Sequence, residues 1–344
     1  MTSVPLRLAE IAFSDLFLSS DPAETVLALN LEAGAPSAAQ RKRPRAPAPI
    51  PDQLVPDAGR LLKEVEDMWA RERFMPEFTV HFDGIDYRCS RIVAPTDSDL
   101  AQGAEPAESE HRHWCLRRIE RKTLHLTDLG FPRWAADELR RVGAASGLVL
   151  VSGPFGSGKS TTAAACFLEW VNAHGGIGVT LEDPPERMIG GQHEGGRVYQ
   201  VPIRGAGFGP AIKASRRWAY RYLYLGEVRD GRAASELLQI SLGGPTVIST
   251  IHASSTVEAL MALSKFAAGI DNSRTANDQI AASILGIVWQ RIRAGRVELE
   301  YLSFRGRNGD AMRTKISEGK FRLLREDQAY QANLRQLGRI EDSF

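Results

Sequence analysis

The sequence predicts an α/β protein: a domain built on a mostly parallel sheet, preceded by a smaller α+β unit. Three observations carry this. After Gly147, short apolar runs alternate with helical patterns, the signature of strands joined by helical crossovers. Before it, one helical period is followed by runs that alternate with the two-residue period of strands. Between them lies a glycine-rich turn, Gly153-Pro-Phe-Gly-Ser-Gly-Lys-Ser160, flanked by a strand and a helix.

Residues 33–50, "AGAPSAAQRKRPRAPAPI", are too rich in Ala, Pro and charge to bury much surface and predict a disordered loop, near 33–52. Leu61, Leu62, Val65 and Trp69 recur at helical spacing between Leu54 and Phe74. "EFTVHFDGIDYRCSRI" predicts two strands around a turn at Asp83-Gly84. A polar loop is expected over 98–111, then a strand at "HWCLRRI". The expected boundaries are a first domain over 1–122, a linker over 123–133 and a second domain over 134–344.

The second domain opens with a helix in "DLGFPRWAADELRRVGAAS" and the strand Leu148–Val151. The helix after the glycine-rich turn carries an apolar face through Ala163, Phe167 and Trp170. The turn satisfies G-x-x-x-x-G-K-[ST] in the strand–turn–helix context that pattern requires. Gly153, Gly156 and Gly158 free the backbone N–H groups to curl around phosphates, and the helix N-terminus adds partial positive charge. Ser157 and Thr161 belong to the same cradle. Lys159 is placed to reach the β- and γ-phosphates of a bound nucleotide, and the Ser160 hydroxyl to help hold Mg²⁺.

Hydrolysis further needs a group that acts on water, and in open parallel sheets such groups gather at strand C-termini. "IGVTLEDPPE" ends in Glu182-Asp183, "YRYLYLGEVRD" in Glu227 and "PTVISTIHAS" in His252. The Tyr222–Leu225 run is expected to lie beside the phosphate-loop strand. Each residue alone has a structural alternative, but their order after the loop makes them one candidate set.

That order, "GPFGSGKSTT", "VTLEDPPE", "YLYLGEVRD" and "GGPTVISTIHASSTVEAL", resembles the secretion and pilus traffic ATPases of the GspE/PilT type. The resemblance implies a RecA-like P-loop ATPase domain behind a PAS-like N-terminal domain. It implies catalytic roles for Glu227 and Glu182, a metal role for Ser160 and Glu227, and a γ-phosphate sensor in His252. Arg217 is cast as a phosphate-side cation, with Lys213, Arg229, Arg88 and Arg118 as further candidates. "ILGIVWQRI" and "AMRTKISEGKF" resemble the family's C-terminal helices, and residues 126–132 its hinge. Ala219-Tyr220-Arg221 stands where the family commonly has an acidic segment. With Arg216-Arg217, that departure leans toward the DotB/TraJ-like branch of type IVB secretion and conjugation.

The function so implied is a hexameric ATP-hydrolysing motor for secretion, conjugation or pilus dynamics. Its expected partners are inner-membrane components of the machine, with peripheral membrane association through them. The alternatives are a RecA-like nucleic-acid motor and a non-hydrolysing, ATP-switched assembly protein. A formal net charge of +1 gives no global field for nucleic acid, so direct binding is not expected. No N-K-x-D guanine motif occurs, which counts against a GTPase. Three widely spaced cysteines and no signal-like start lead to a cytoplasmic expectation.

Overall fold

The computed structural model describes residues 7–29, 47–94, 111–119 and 125–339, apart from positions 12, 14, 22, 23, 73, 76, 204–206, 295 and 307. The chain divides into two compact units, Met1–Arg121 and Lys122–Phe344. The expected loop over 98–111 falls outside the described residues except at its last position, and so does most of the expected disordered loop.

The first unit is a six-stranded antiparallel sheet in the order β3-β2-β1-β6-β5-β4. Its strands are β1 (Asp15–Ser19), β2 (Leu27–Leu29), β3 (Ala48–Pro49), β4 (Glu77–Phe82), β5 (Ile85–Ile92) and β6 (His113–Ile119). The loop expectation reached too far, because Ala48–Pro49 pairs with β2 as an edge strand. Proline is tolerated there since an edge strand need not donate on both sides. Asp83 and Gly84 take positive φ values of 47° and 79°, so the hairpin turns as the Asp-Gly pair requires. Helix α1 (Val55–Arg71) buries Ala58, Leu61 and Val65 against Leu16, Val80 and Trp114 in one core.

The second unit is an eight-stranded sheet, β14-β13-β7-β12-β11-β8-β10-β9. These are β7 (Gly147–Gly153), β8 (Gly176–Glu182), β9 (Gly191–Gln192), β10 (Gly196–Pro202), β11 (Tyr222–Leu225), β12 (Thr246–His252), β13 (Ile284–Arg293) and β14 (Arg296–Ser303). From β13 through β10 every neighbouring pair is parallel, and the two outermost strands are antiparallel. The helices are α2 (Arg133–Val142), α3 (Lys159–His174), α4 (Phe208–Ser215), α5 (Gly231–Ser241), α6 (Thr256–Ala268), α7 (Ser273–Ser283), α8 (Gly309–Ser317) and α9 (Leu324–Gln336).

Central strands covered on both faces read as continuous apolar runs. Leu148 and Leu150 of β7 enter one core with Leu223, Leu237 and Leu260. Val149 and Val151 enter the other with Phe167, Trp170, Tyr222 and Tyr224. Trp170 is fully buried, and its Nε1–H donates to the Leu139 carbonyl at 2.6 Å, fastening α3 to α2.

Two expectations are corrected here. "ILGIVWQRI" is strand β13 and not a helix, pairing with β7 on one side and β14 on the other. Its β-branched Ile284, Ile287, Val288 and Ile292 favour a pleated surface, and β7 offers an open edge for it. Tyr222–Leu225 is not the neighbour of the phosphate-loop strand, because β12 is inserted between β11 and β7. The stretch 126–132 contributes buried Leu126 and Phe131 to the core around α2 and α3.

Candidate active site

The parallel register sets the site. His252 is paired with Gly153, Leu225 with Ser249 and Leu181, so β7, β12, β11 and β8 all end on the same edge. Past β11, Gly226 N–H donates to the Leu181 carbonyl at 2.9 Å and Val228 N–H to that of Thr250 at 2.9 Å. Glu227 is thereby held between the ends of β8 and β12.

The glycine-rich turn adopts the conformation its composition demands. Gly156 and Gly158 have φ values of 71° and 81°, in the left-handed region. Gly158 is the N-cap of α3, whose N-terminus therefore points its free N–H groups into the turn. The Lys159 Nζ is tucked against the loop itself, donating to the carbonyls of Gly153 at 3.1 Å and Pro154 at 2.9 Å. Burial pulls the Lys159 pKa below its ordinary value, opposed by the Glu227 and Glu186 carboxylates.

His252 joins the two halves of the site. Its Nδ1 lies 3.2 Å from the Lys159 Nζ and its Nε2 lies 3.0 Å from a Glu227 oxygen. A neutral ring carrying its proton on Nε2 satisfies both, accepting from the ammonium and donating to the carboxylate. The other Glu227 oxygen accepts from Arg229 Nε at 2.7 Å. Phe155, 92% exposed at the tip of the loop, stacks over the His252 ring at 6.2 Å and 12°.

Glu182 occupies a different environment from Glu227. It is 4% exposed, and burial raises its pKa from 4.5 to about 7, with hydrogen bonding from Gln200 opposing the rise. Below pH 4.5 it holds its proton whether folded or unfolded. Between pH 4.5 and 7 the unfolded chain ionises first, so folding loses stability as pH rises, up to about 3 kcal/mol above pH 7. Glu182→Gln removes that titration while its amide oxygen still accepts from Gln200. Urea midpoints at pH 5 and pH 8 should show the variant gaining on the wild-type chain at the higher pH. An equal difference at both values would count against the buried-acid assignment.

Of the residues singled out from sequence, Lys159, Ser160, Thr161, Glu182, Glu227, Arg229 and His252 come together with Gly153, Gly156, Ser157 and Gly158. Arg217 does not join them. It precedes the N-terminal end of β11, whose first residue pairs at the level of Gly178 and Thr246, so it lies at the opposite edge of the sheet. Arg216 there binds Glu236 and Gln239 on α5, and Arg221 donates to the carbonyl of His174 at the far end of α3. Chain direction explains the misplacement: in a parallel sheet, residues before a strand and residues after it emerge on opposite edges. Lys213, late in α4, is exposed. Arg88 pairs with Glu77, and Arg118 donates to the carbonyls of Ile11 and Ala9, all within the first unit.

Four contributors went unread in the sequence. Gln290 of β13 is 1% exposed and donates to the Ser157 carbonyl at 2.6 Å, bracing the phosphate loop from beneath. Arg187 Nε donates to Thr161 Oγ1 at 3.3 Å. Burial, then the Glu182 and Glu186 carboxylates, raise the Tyr224 pKa well above its ordinary value, keeping a phenol that hydrogen-bonds Ser160 protonated. Gln200 holds Glu182. A glutamine inside an apolar strand was the available signal for Gln200 and Gln290, but its partner cannot be read from one sequence.

Similarity to known proteins agrees with this geometry. The chain is 35% identical over 146 residues to the type II secretion system protein E of Dickeya dadantii, covering 42% of this chain and 27% of that protein. It is 34% identical over 211 residues to the type II secretion system ATPase E of Vibrio cholerae, covering 60% of this chain and 39% of that one. The chain thus spans well under half the length of these curated relatives. The structure of the Legionella pneumophila ATPase DotB superposes with a TM-score of 0.69 at 19% identity, over 94% of this chain and 88% of DotB, and shares its fold. The family described as "Type II/IV secretion system protein" matches residues 99–303, more than half the chain and all four strand-end motifs, and the chain belongs to that family.

Proposed function

We propose that this protein is the ATP-hydrolysing subunit of a homo-hexameric motor that drives a secretion or conjugation machine, of the DotB/TraJ-like kind, or a type IV pilus. One observation carries the reading: Lys159, His252, Glu227 and Glu182 meet at one strand-end edge, around a helix N-terminus built to hold phosphate.

The residues fit ATP and Mg²⁺. The loop N–H groups and Lys159 would hold the β- and γ-phosphates, exchanging the loop carbonyls for phosphate oxygens. Ser160 and Glu227 offer hard oxygen donors of the kind Mg²⁺ takes alongside phosphate and water. The ion supplies charge neutralisation on the phosphates when bound. Glu227 orients and deprotonates the attacking water, and His252 and Arg229 fix its two oxygens. His252, touching both Lys159 and Glu227, is placed to register the loss of the γ-phosphate. Glu182 is a second acid, whose raised pKa suits proton transfer near neutral pH.

No helix among the described residues is long and apolar enough to cross a membrane. By the resemblance to the traffic ATPases, the motor is placed on the cytoplasmic side, attached to inner-membrane components through partners.

Phosphate release by the wild-type chain and by Lys159→Ala tests the reading, with molecular mass measured by light scattering. Removal of one charge-stabilising donor lowers turnover by about 10²–10³-fold. Wild-type protein that hydrolyses no ATP as an assembled ring would overturn the proposal. Turnover that appears only with added DNA would shift it to a nucleic-acid motor.

A further inference from the structure

Gln200 stands out among the polar side chains of this unit because all of its hydrogen-bonding capacity is spent within reach of the candidate site. It lies on β10 opposite Thr180 of β8, two residues before Glu182. Its Nε2 donates to Glu182 Oε1 at 2.8 Å and to the Arg187 carbonyl at 2.6 Å. Its Oε1 accepts from the N–H groups of Ile189 at 3.0 Å and Gly190 at 3.2 Å. A primary amide has two N–H donors and two acceptor sites, so the side chain is saturated.

The loop gripped by these contacts matters for what it carries. Residues 183–190 leave β8 directly after Glu182 and hold Glu186 and Arg187. Arg187 reaches Thr161, two residues beyond Lys159. A single amide thus fixes an acid at the end of β8 and, through the backbone, the cation that touches the first turn of α3. The Glu186 backbone N–H also bonds the Glu182 carboxylate, so the acid meets the loop directly as well as through Gln200.

We propose that Gln200 is a positioning residue for hydrolysis, holding Glu182 and the Arg187 loop in one fixed arrangement against the phosphate-binding turn. This rests on the reading of the site as ATP-hydrolysing. Gln200 touches no phosphate-loop residue itself. Its loss should therefore lower kcat while leaving nucleotide affinity near its wild-type value. Displacement of reacting groups by about 1 Å can cost on the order of 10²-fold in rate.

Two variants of the full chain test this. Gln200→Leu removes every contact. The expected results are a kcat lower by roughly 10- to 100-fold, a Kd for fluorescently labelled ADP within about threefold of wild type (about 0.7 kcal/mol or less), and faster amide hydrogen exchange at Ile189 and Gly190 in nucleotide-free protein. Gln200→Glu has nearly the same shape and keeps the acceptor for Ile189 and Gly190, but replaces the donor to Glu182 and to the Arg187 carbonyl with a carboxylate oxygen. It should retain protection at Ile189 and Gly190 and still lose kcat. Unchanged kcat in both variants overturns the positioning role. So does unchanged exchange in Gln200→Leu, or a parallel loss of ADP binding. Absence of ATP turnover in the wild-type chain would refute the hydrolytic reading instead, while the exchange measurements would still judge the clamp.

Discussion

Glu227→Gln is expected to lower ATP turnover by about 10²–10⁴-fold, the range lost when a positioned general base is removed. Glutamine has the shape of glutamate but neither its charge nor its basicity. His252 Nε2–H can still donate to the amide oxygen, whereas the contact with Arg229 loses its charge. The cradle of Gly153, Gly156, Gly158 and Lys159 is untouched, so ATP should bind and remain unhydrolysed. Phosphate release together with equilibrium binding of labelled ATP distinguishes this from a folding defect. Equal turnover in variant and wild type would remove Glu227 from the chemistry and leave Glu182 as the acid to pursue.

Gly153→Ala should cost both stability and function. Gly153 has a φ of 151°, where side-chain-bearing residues are strained. An added Cβ would come within 2.1 Å of the Gln290 carbonyl oxygen and 2.7 Å of Ser157 Oγ. The Ser157 hydroxyl can turn away, but the Gln290 carbonyl belongs to the backbone of β13, directly beside β7. Backbone strain of about 1–3 kcal/mol and overpacking of about 1–3 kcal/mol together make roughly 2–6 kcal/mol. That is a large share of the 5–15 kcal/mol that holds an ordinary domain folded. Whatever fold survives must shift the loop that Gln290 braces. A urea midpoint equal to wild type, with nucleotide binding intact, would show that β13 yields more easily than its packing suggests.

The residues that carry chemistry were legible because their setting is local. A glycine-rich turn between strand and helix, a glutamate closing an apolar run, and a histidine ending another each declare themselves within about ten positions. Glu182, Glu227 and His252 could be grouped before any coordinates, since strand C-termini share an edge in a parallel sheet. The same rule, applied to the residues before β11, would have sent Arg217 to the far edge. The family resemblance casts it on the phosphate side, but a position upstream of β11 emerges on the opposite edge of a parallel sheet.

Strand order was harder to read. Nothing in Tyr222–Leu225 states which neighbour it takes, because backbone hydrogen bonding is the same for any partner and both faces of the run are apolar. The insertion of β12 beside β7 brings His252 into contact with Lys159, and places Glu227 on its other side. The strand character of Ile284–Arg293 depended likewise on the open edge of β7, which a short apolar run cannot announce.

The sequence by itself determined the phosphate cradle, the acids and the histidine, because each depends on residues adjacent in the chain. Only the tertiary structure decided which cations reach the site and which side chains hold it. Arg187, Gln200 and Gln290 act on partners 26, 18 and 133 residues away. Such pairs are set by strand order and register, which arise from burying both faces of one sheet at once and are not encoded at any single position.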